Sequence, residues 1–314
     1  MAVKKKKKAK QVKKVKSLGS RLLYPVLLTG LVLFSLAAAV FVIFFQPGTL
    51  SDISPAKVAS VHKRPPQIMY EEPADTLAPL PVLSPGLYKQ RYREKKDGRV
   101  AIIIDDIGYK KSIAEQLFDL DMNITFSFLP FGPYTAILLQ KARDRDCDIL
   151  LHLPMEPKNL KYDPGPGALY LKMSKSQIGD TFKKDLAAVS MAIGLNNHMG
   201  SRFSEDRKAM GYLMELIKER DLFFVDSLTS AGSVGYELAG KNGVKTGKRS
   251  VFLDNEQDKE KIKKQLDVLI RLARKNGSAI GIGHPYPATV AALSEYRDTL
   301  RENVTLVPVH SLVH

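Results

Sequence analysis

Apolar and polar positions follow two alternating patterns from residue 99 onward. Short apolar runs of four to six residues alternate with longer amphipathic segments, which is typical of strands and helices that follow one another along the chain. Seven or eight successive βα units with right-handed crossovers favour an α/β fold, a distorted (β/α)7–8 barrel, over an open sheet. The predicted strands lie at residues 100–104, 124–128, 148–152, 195–198, 222–226, 250–253, 278–283 and 305–309.

Local signals predict several helix boundaries between these strands. Ser174 with Gln177 has the spacing of a capping box, and Ser204 is a candidate cap of the next helix. Gly277 follows the last residue of a long amphipathic pattern over residues 259–276 and is expected to end that helix.

Polar residues collect at the predicted strand ends. The first strand is apolar throughout, as expected of a strand buried on both faces, and the two carboxylates Asp105 and Asp106 follow it directly. Since the site of a βα barrel lies at the carboxyl ends of its strands, these side chains should meet at that end of the barrel, which is termed here the mouth. Residues at the other ends include His152, Glu156, His198, Arg202, Asp226, Asp254 and His284.

This collection of residue types predicts a divalent metal site. Two histidines and one carboxylate are the usual ligands of hydrolytic zinc, and His152 and His198 come from neighbouring predicted strands. A second carboxylate nearby can act as a base, and His284 on the opposite side can protonate a leaving group.

The segment before residue 99 has a different character. Residues 1–21 carry nine lysines and one arginine without an acid, so this arm holds ten of the fifteen excess positive charges. Residues 22–45 are uncharged and long enough to cross a bilayer. Residues 46–98 contain eight of the 18 prolines, which is typical of a disordered linker.

These segments predict a single-pass protein of the inner (cytoplasmic) membrane. The basic arm should stay in the cytoplasm, which would place residues 99–314 in the periplasm or another extracytoplasmic space. Because the membrane-abutting arm accounts for most of the charge, no nucleic-acid partner is expected.

The ordered motifs resemble the divergent branch of the polysaccharide deacetylase superfamily over about residues 98–314. They read Ile-Ile-Ile-Asp105-Asp106-Ile-Gly, His152-Leu-Pro-Met-Glu-Pro, Asn-Asn-His198-Met-Gly-Ser-Arg, Val-Asp226-Ser and Gly-His284-Pro. The resemblance implies a metal-dependent hydrolase, with zinc as the expected ion, that removes N- or O-acetyl groups from a cell-envelope polysaccharide.

The resemblance also implies roles for individual residues. Asp105 would be the base and Asp106 a metal ligand, with His152 as the first metal histidine. The main family has its second metal histidine four residues later, where this chain has Glu156. Either Glu156 replaces that ligand or His198 supplies it, and the divergent motif favours His198.

The remaining motif residues take supporting roles in this interpretation. Asp226 resembles the carboxylate that orients the acid or an arginine, and His284 resembles the acid itself. Arg202 is expected to pair with Asp226 or to bind substrate, and Glu156 is otherwise a partner of the metal ligands. Tyr109 and Phe131 are candidates for stacking on sugar rings, beside a rim loop at residues 163–167.

Two alternative functions stay open at this point. The first is a non-catalytic, membrane-anchored barrel that binds glycan or an envelope protein. The second is another metal-dependent hydrolase, for instance of phosphoesters, although few basic groups at the strand ends could hold a phosphate.

Overall fold

The computed structural model describes residues 98–314. The predicted basic arm, the predicted membrane helix and all but the last residue of the predicted linker lie outside this range. Between residues 98 and 314, the helices are all too short or too polar to cross a bilayer.

Nine strands and seven α-helices form the described part of the chain. The strands are β1 (Arg99–Ile107), β2 (Ile124–Phe128), β3 (Ile149–Met155), β4 (Gly194–Met199), β5 (Phe223–Asp226), β6 (Thr246–Lys248), β7 (Val251–Phe252), β8 (Ser278–Gly283) and β9 (Thr305–Leu306). The helices are α1 (Lys111–Phe118), α2 (Thr135–Arg143), α3 (Lys175–Ala188), α4 (Arg207–Lys218), α5 (Gly235–Lys241), α6 (Lys259–Asn276) and α7 (Pro287–Asn303).

The strands form one parallel sheet in the order β6-β5-β4-β3-β2-β1-β8-β7. β6 pairs with β5, whereas β7, which follows after two residues, pairs with β8 at the other edge. Residues 246–252 therefore connect the two edges, and the sheet curls into a distorted barrel. The predicted α/β fold class is confirmed.

Two strand predictions need correction. The predicted sixth strand, residues 250–253, is reduced to β7, which pairs with β8, and β6, which pairs with β5, is a further strand that the sequence pattern did not predict. The predicted eighth strand, residues 305–309, is reduced to β9, which pairs with β1 over two residues. The chain then turns into a short 3-10 helix, Val309–Leu312.

The barrel interior is apolar at one end and polar at the other. Ala101, Ile103, Ile280 and Ile282 pack inside the barrel against the 3-10 helix, which fills the amino end of the strands. Because side chains alternate along a strand, the next inward position on β1 is Asp105, and it lies at the carboxyl end. The apolar floor thus leaves only the carboxyl end of the barrel for polar chemistry.

The helix boundaries agree with the local signals in two of three cases. Ser174 and Gln177 form the capping box of α3, and Gly277 ends α6 with a φ of 84°. The prediction for Ser204 is wrong, since Asp206 caps α4 through the N–H groups of Lys208 and Ala209.

Candidate active site

A distortion in β1 brings both aspartates to the same side. Strand periodicity alone would point Asp105 and Asp106 to opposite faces. The pairing of β1 with β2 shifts register between Ile104 and Ile107, and Asp106 has a φ of 57°. A β-bulge of this kind turns a side chain toward a new direction. Both carboxylates consequently lie beside the His152 imidazole, and both are buried.

Left-handed backbone marks the ends of three strands around the mouth. Besides Asp106, Met199 at the end of β4 and Leu228 just after β5 have φ values of 50° and 49°. Conformations of this kind cost free energy in non-glycine residues and cluster at functional sites. Three of the six non-glycine residues with left-handed backbone among residues 98–314 thus lie where the polar residues gather.

Asp106, His152 and His198 converge at the mouth. Asp106 Oδ1 lies 3.2 Å from His152 Nε2 and 2.9 Å from His198 Nδ1, and the two nitrogens are 3.2 Å apart. Ligands at about 2.0–2.1 Å from a tetrahedral zinc ion are separated by similar distances, roughly 3.3 Å. The spacing is that of three ligands around one ion.

The unsatisfied oxygens of Asp106 also fit a cation. Among residues 98–314, neither Asp106 Oδ1 nor Oδ2 has a hydrogen-bond partner of acceptable geometry, although both atoms are buried. A buried carboxylate in this state is costly unless a cation neutralises it. Two imidazole nitrogens and one carboxylate oxygen are a donor set that suits zinc.

Asn196 joins the metal ligands to the second aspartate. Its Oδ1 lies 2.9 Å from His152 Nδ1 and accepts a hydrogen bond from Ser127 Oγ at 2.5 Å. Its Nδ2 donates to Asp105 Oδ1 at 2.8 Å and to Ser227 Oγ at 3.1 Å. Because Oδ1 can only accept, His152 Nδ1 carries the proton and Nε2 keeps its lone pair for a metal.

We expect Asn196→Ala to weaken binding of a divalent metal about 10- to 100-fold, since it releases the orientation of His152. Competition with a chromophoric chelator measures the change. Asn197→Ala is the matched control, because this neighbouring buried amide contacts Met199, Ser227 and Thr229 instead of the site. Equal losses in the two variants would contradict the role of Asn196.

The two aspartates have opposite pKa shifts. Burial is the largest influence on Asp105 and raises its pKa, with His152, His284 and Asn196 opposing the rise. Burial also acts on Asp106, but His198, His152 and His284 outweigh it and hold the pKa of Asp106 well below its usual value. Asp106 thus stays ionised as a ligand does, whereas Asp105 can take up a proton.

His284 lies at the end of β8 beside Asp254. His284 Nδ1 is 2.9 Å from Asp254 Oδ1. Asp254 Oδ2 accepts two hydrogen bonds of 2.6 Å, one from the backbone N–H of His284 and one from Thr289 Oγ1. Burial lowers the pKa of His284, but the attraction of Asp254, and then of Asp106 and Asp105, raises it to about 9. The imidazole can therefore hold a proton near neutral pH.

The structure places Asp254 rather than Asp226 beside His284. The arginine near Asp226 is Arg249, whose pKa is lowered by burial and raised less strongly by Asp226. Asp226 is fully buried and bonds to the loop after β5, where its carboxylate accepts from Ser233 Oγ at 2.7 Å and from the Tyr236 N–H at 3.0 Å. The partner of His284 is Asp254, because the turn after β7 reaches β8 directly. Asp226 shapes the neighbouring loop.

Glu156 and Arg202 form a pair at the edge of the site. Glu156 Oε1 accepts from Arg202 Nη1 at 2.9 Å, and Oε2 accepts from the Leu171 N–H at 2.6 Å. With both oxygens engaged in this way, Glu156 ties two loops together and is not among the converging ligands. The partner of Arg202 is thus Glu156 rather than Asp226, and the half-exposed guanidinium borders the mouth.

A small pocket opens beside His198. Its walls include Tyr109 and Phe131, both proposed above as sugar contacts, and the rim loop at residues 163–167 supplies Asp163, Pro164, Gly165 and Pro166. Phe131 has 44% of its surface exposed. The pocket thus places an aromatic wall beside His198, one residue of the metal-ligand cluster.

Sequence reasoning passed over Asn196 and Asp254 as site residues. Asn196 lies two positions before His198, so strand periodicity places both on one face. Asp254 follows a predicted strand and satisfies the same strand-end rule that selected Asp226. The sequence did not show which of the two strand-end aspartates, Asp226 or Asp254, lies beside His284.

Comparisons with known proteins agree with the fold and the motifs. The sequence pattern of the divergent polysaccharide deacetylase family matches residues 102–313. The chain is 38% identical to an uncharacterized protein of Haemophilus influenzae, over 68% of this chain and 76% of that protein. It is 36% identical to the uncharacterized protein YibQ of Escherichia coli K12, over 69% of this chain and 68% of that protein.

A solved structure extends the similarity to three dimensions. The uncharacterized protein ATU2773 of Agrobacterium tumefaciens superposes with a TM-score of 0.67 at 29% identity, over 76% of this chain and all of that structure. The chain belongs to the divergent polysaccharide deacetylase family, which confirms the resemblance found in its motifs.

Proposed function

We propose that this protein is a metal-dependent hydrolase that removes acetyl groups from a cell-envelope carbohydrate. The observation that carries the proposal is the convergence of Asp106, His152 and His198 beside a second buried carboxylate, Asp105. The family supports a polysaccharide as the substrate class.

Different residues of the site hold the metal ion and accept the proton during hydrolysis. Asp106, His152 and His198 would hold the ion, which when bound lowers the pKa of a water ligand and polarises the acyl carbonyl. Asp105 takes the proton that the attacking water releases as its oxygen bonds to the carbonyl carbon.

The leaving group needs a proton as the bond to the acyl carbon breaks. His284, held by Asp254 as an imidazolium, donates this proton to the departing nitrogen or oxygen of the sugar. Acetate and the deacetylated sugar leave, and proton exchange with water restores Asp105 and His284. Tyr109 and Phe131 would line the approach of the sugar.

The proposal includes a location. Residues 22–45 would anchor the chain in the inner membrane with residues 1–21 in the cytoplasm, so that the barrel faces the envelope glycan. Protease added to intact cells and to spheroplasts tests this orientation, because only an extracytoplasmic barrel becomes accessible when the outer barrier is removed.

We expect the purified full-length chain to retain close to one divalent ion, and His152→Ala and His198→Ala each to lose it. Elemental analysis of the three proteins measures the metal content. His310→Ala is the control, since this histidine is on the 3-10 helix at the barrel floor and contacts Asp148.

The metal content and the released product distinguish the alternative metal ligands and the alternative functions. Loss of metal only in His152→Ala would assign the second ligand to Glu156. Failure of the unmodified chain to bind zinc or any other supplied divalent ion would contradict the hydrolase and favour the glycan-binding barrel. Release of phosphate rather than acetate from matched esters would point to a phosphoesterase.

A further inference from the structure

Three lysines stand at the mouth of the barrel without a carboxylate partner. Lys110 follows β1, Lys172 lies in the connection from β3 to α3, and Lys248 ends β6. All three side chains are exposed. None of them forms an ion pair with an acid among residues 98–314, although many lysines on the outer helices do.

Each of these lysines lies over a tyrosine ring instead. The ammonium nitrogen is 4.5 Å from the ring centroid of Tyr286 for Lys110, 5.5 Å from that of Tyr170 for Lys172, and 5.0 Å from that of Tyr236 for Lys248. A ring face attracts a cation but leaves its charge unneutralised. The three charges therefore stay available to an incoming anion.

A fourth lysine, Lys175, also lies over a tyrosine ring, but unlike the three at the mouth it has an acidic partner. Lys175 lies 4.9 Å from the ring centroid of Tyr212, but it also forms an ion pair with Glu215 at 2.5 Å. Lys175 is the first residue of α3, and its partners Tyr212 and Glu215 both lie on α4. Among the lysines described as lying over tyrosine, those at the mouth lack the acid that neutralises Lys175.

We propose that Lys110, Lys172 and Lys248, termed here the lysine rim, select a negatively charged glycan by binding its carboxylate or phosphate groups. This inference rests on the proposed function and narrows its substrate class. The three lysines belong to different parts of the strand ring, so a polymer crossing the mouth would meet more than one of them.

The tyrosines favour this selection by restricting the lysine side chains. A free lysine loses rotamer entropy when it binds a ligand, and a side chain already held over a ring loses less. Lys110 also lies near Asp106 and Asp254, and burial lowers its pKa although both acids oppose the change. Its charge thus lies within electrostatic range of two acids of the site.

Equilibrium binding of labelled tetrasaccharides to the full-length chain tests the proposal. The carboxylate probe alternates N-acetylglucosamine with glucuronic acid, the phosphate probe carries 6-phosphates on N-acetylglucosamine, and the neutral probe is the chitin tetrasaccharide. At low ionic strength we expect at least one acidic probe to bind about 10-fold more tightly than the neutral probe, with the advantage shrinking in high salt. The acidic probe that binds more tightly identifies the anion.

Substitutions of the three lysines test whether the lysine rim causes the preference for an acidic tetrasaccharide. Combined Lys110→Gln, Lys172→Gln and Lys248→Gln should lower the affinity for the preferred acidic probe about 10-fold and leave neutral binding within about 2-fold. The control removes the same charge through Lys183→Gln, Lys264→Gln and Lys275→Gln at exposed positions of the outer helices, and it should change neither affinity by more than about 2-fold.

Three results would overturn the lysine rim. One is equal affinity for the neutral and both acidic probes, and another is an equal loss in the rim and control variants. Loss of binding to phosphatidylglycerol vesicles with unchanged tetrasaccharide affinity would also overturn it, because the lysines would then serve a membrane surface.

Acetate release separates this inference from the proposed function. If acidic probes bind through the rim but no probe loses acetate in the presence of zinc, the hydrolase proposal fails and the rim stands. If the neutral probe is deacetylated as fast as the acidic ones, the rim fails and the hydrolase stands.

Discussion

Asp105→Asn should lower kcat for acetate release by about 10²- to 10⁴-fold while the divalent metal stays bound. The amide cannot accept the proton of the attacking water, but it has the size of the carboxylate and can still contact Asn196. Asp105 is not one of the three converging ligands, so metal affinity should change little.

Asp106→Asn is the paired variant, and it should reverse this pattern. It removes the only carboxylate of the ligand cluster, and the metal should be lost together with activity. Titration with zinc and acetate release, measured on both variants, give the comparison. If Asp105→Asn loses metal and Asp106→Asn retains it, the two roles are exchanged.

Wild-type stability should fall by about 3 kcal/mol between pH 5 and pH 8 because of Asp185 alone. This carboxyl on α3 is fully buried, and neither of its oxygens has a hydrogen-bond partner among the described residues. Burial raises its pKa from 3.8 to about 8, although Lys184 opposes the rise. Between about pH 4 and 8 the folded chain keeps a proton that the unfolded chain has released, so stability decreases as the pH rises through this window.

Asp185→Asn isolates this contribution, since an amide has no proton to lose over this range. Urea unfolding of both proteins at pH 5 and pH 8 gives the difference in pH dependence, in which the other titrating groups cancel. Asp180→Asn, at an exposed position of the same helix, should leave the pH dependence unchanged. An equal slope for wild type and Asp185→Asn would show that the carboxyl is ionised in the folded state.

Asp185 also supports the pocket entrance. Its carboxylate lies against Gly167, beside the Phe131 ring, and a side chain at Gly167 would collide with it. Asp185, which is expected to lower stability at high pH, therefore also packs under the rim loop at residues 163–167.

The sequence contained enough information for the barrel and for most of the site. Strand-end reasoning depends only on parallel strands sharing one carboxyl edge, and it selected all three converging residues. The preference for His198 over Glu156 came instead from the resemblance to the divergent family, and in the structure Glu156 is engaged by Arg202 and Leu171.

What failed depended on contacts that local patterns do not contain. The bulge at Asp106 breaks strand periodicity, and only the pairing with β2 reveals it. Asp226 and Asp254 have equivalent local settings, so their roles were decided by which strand lies beside β8. Residues 246–252 change partner because the sheet must connect its two edges, a requirement of the whole barrel.

The position of β1 between β2 and β8 has a consequence for synthesis. About 170 residues separate the end of β1 from the start of β8, and at 5–20 residues per second a ribosome needs roughly 10–30 s to make them. During that time one edge of an apolar strand that ends in two carboxylates has no partner. This edge of β1 stays unpaired until β8 is made, whereas the ligands Asp106, His152 and His198 lie on β1, β3 and β4, which are complete by residue 199.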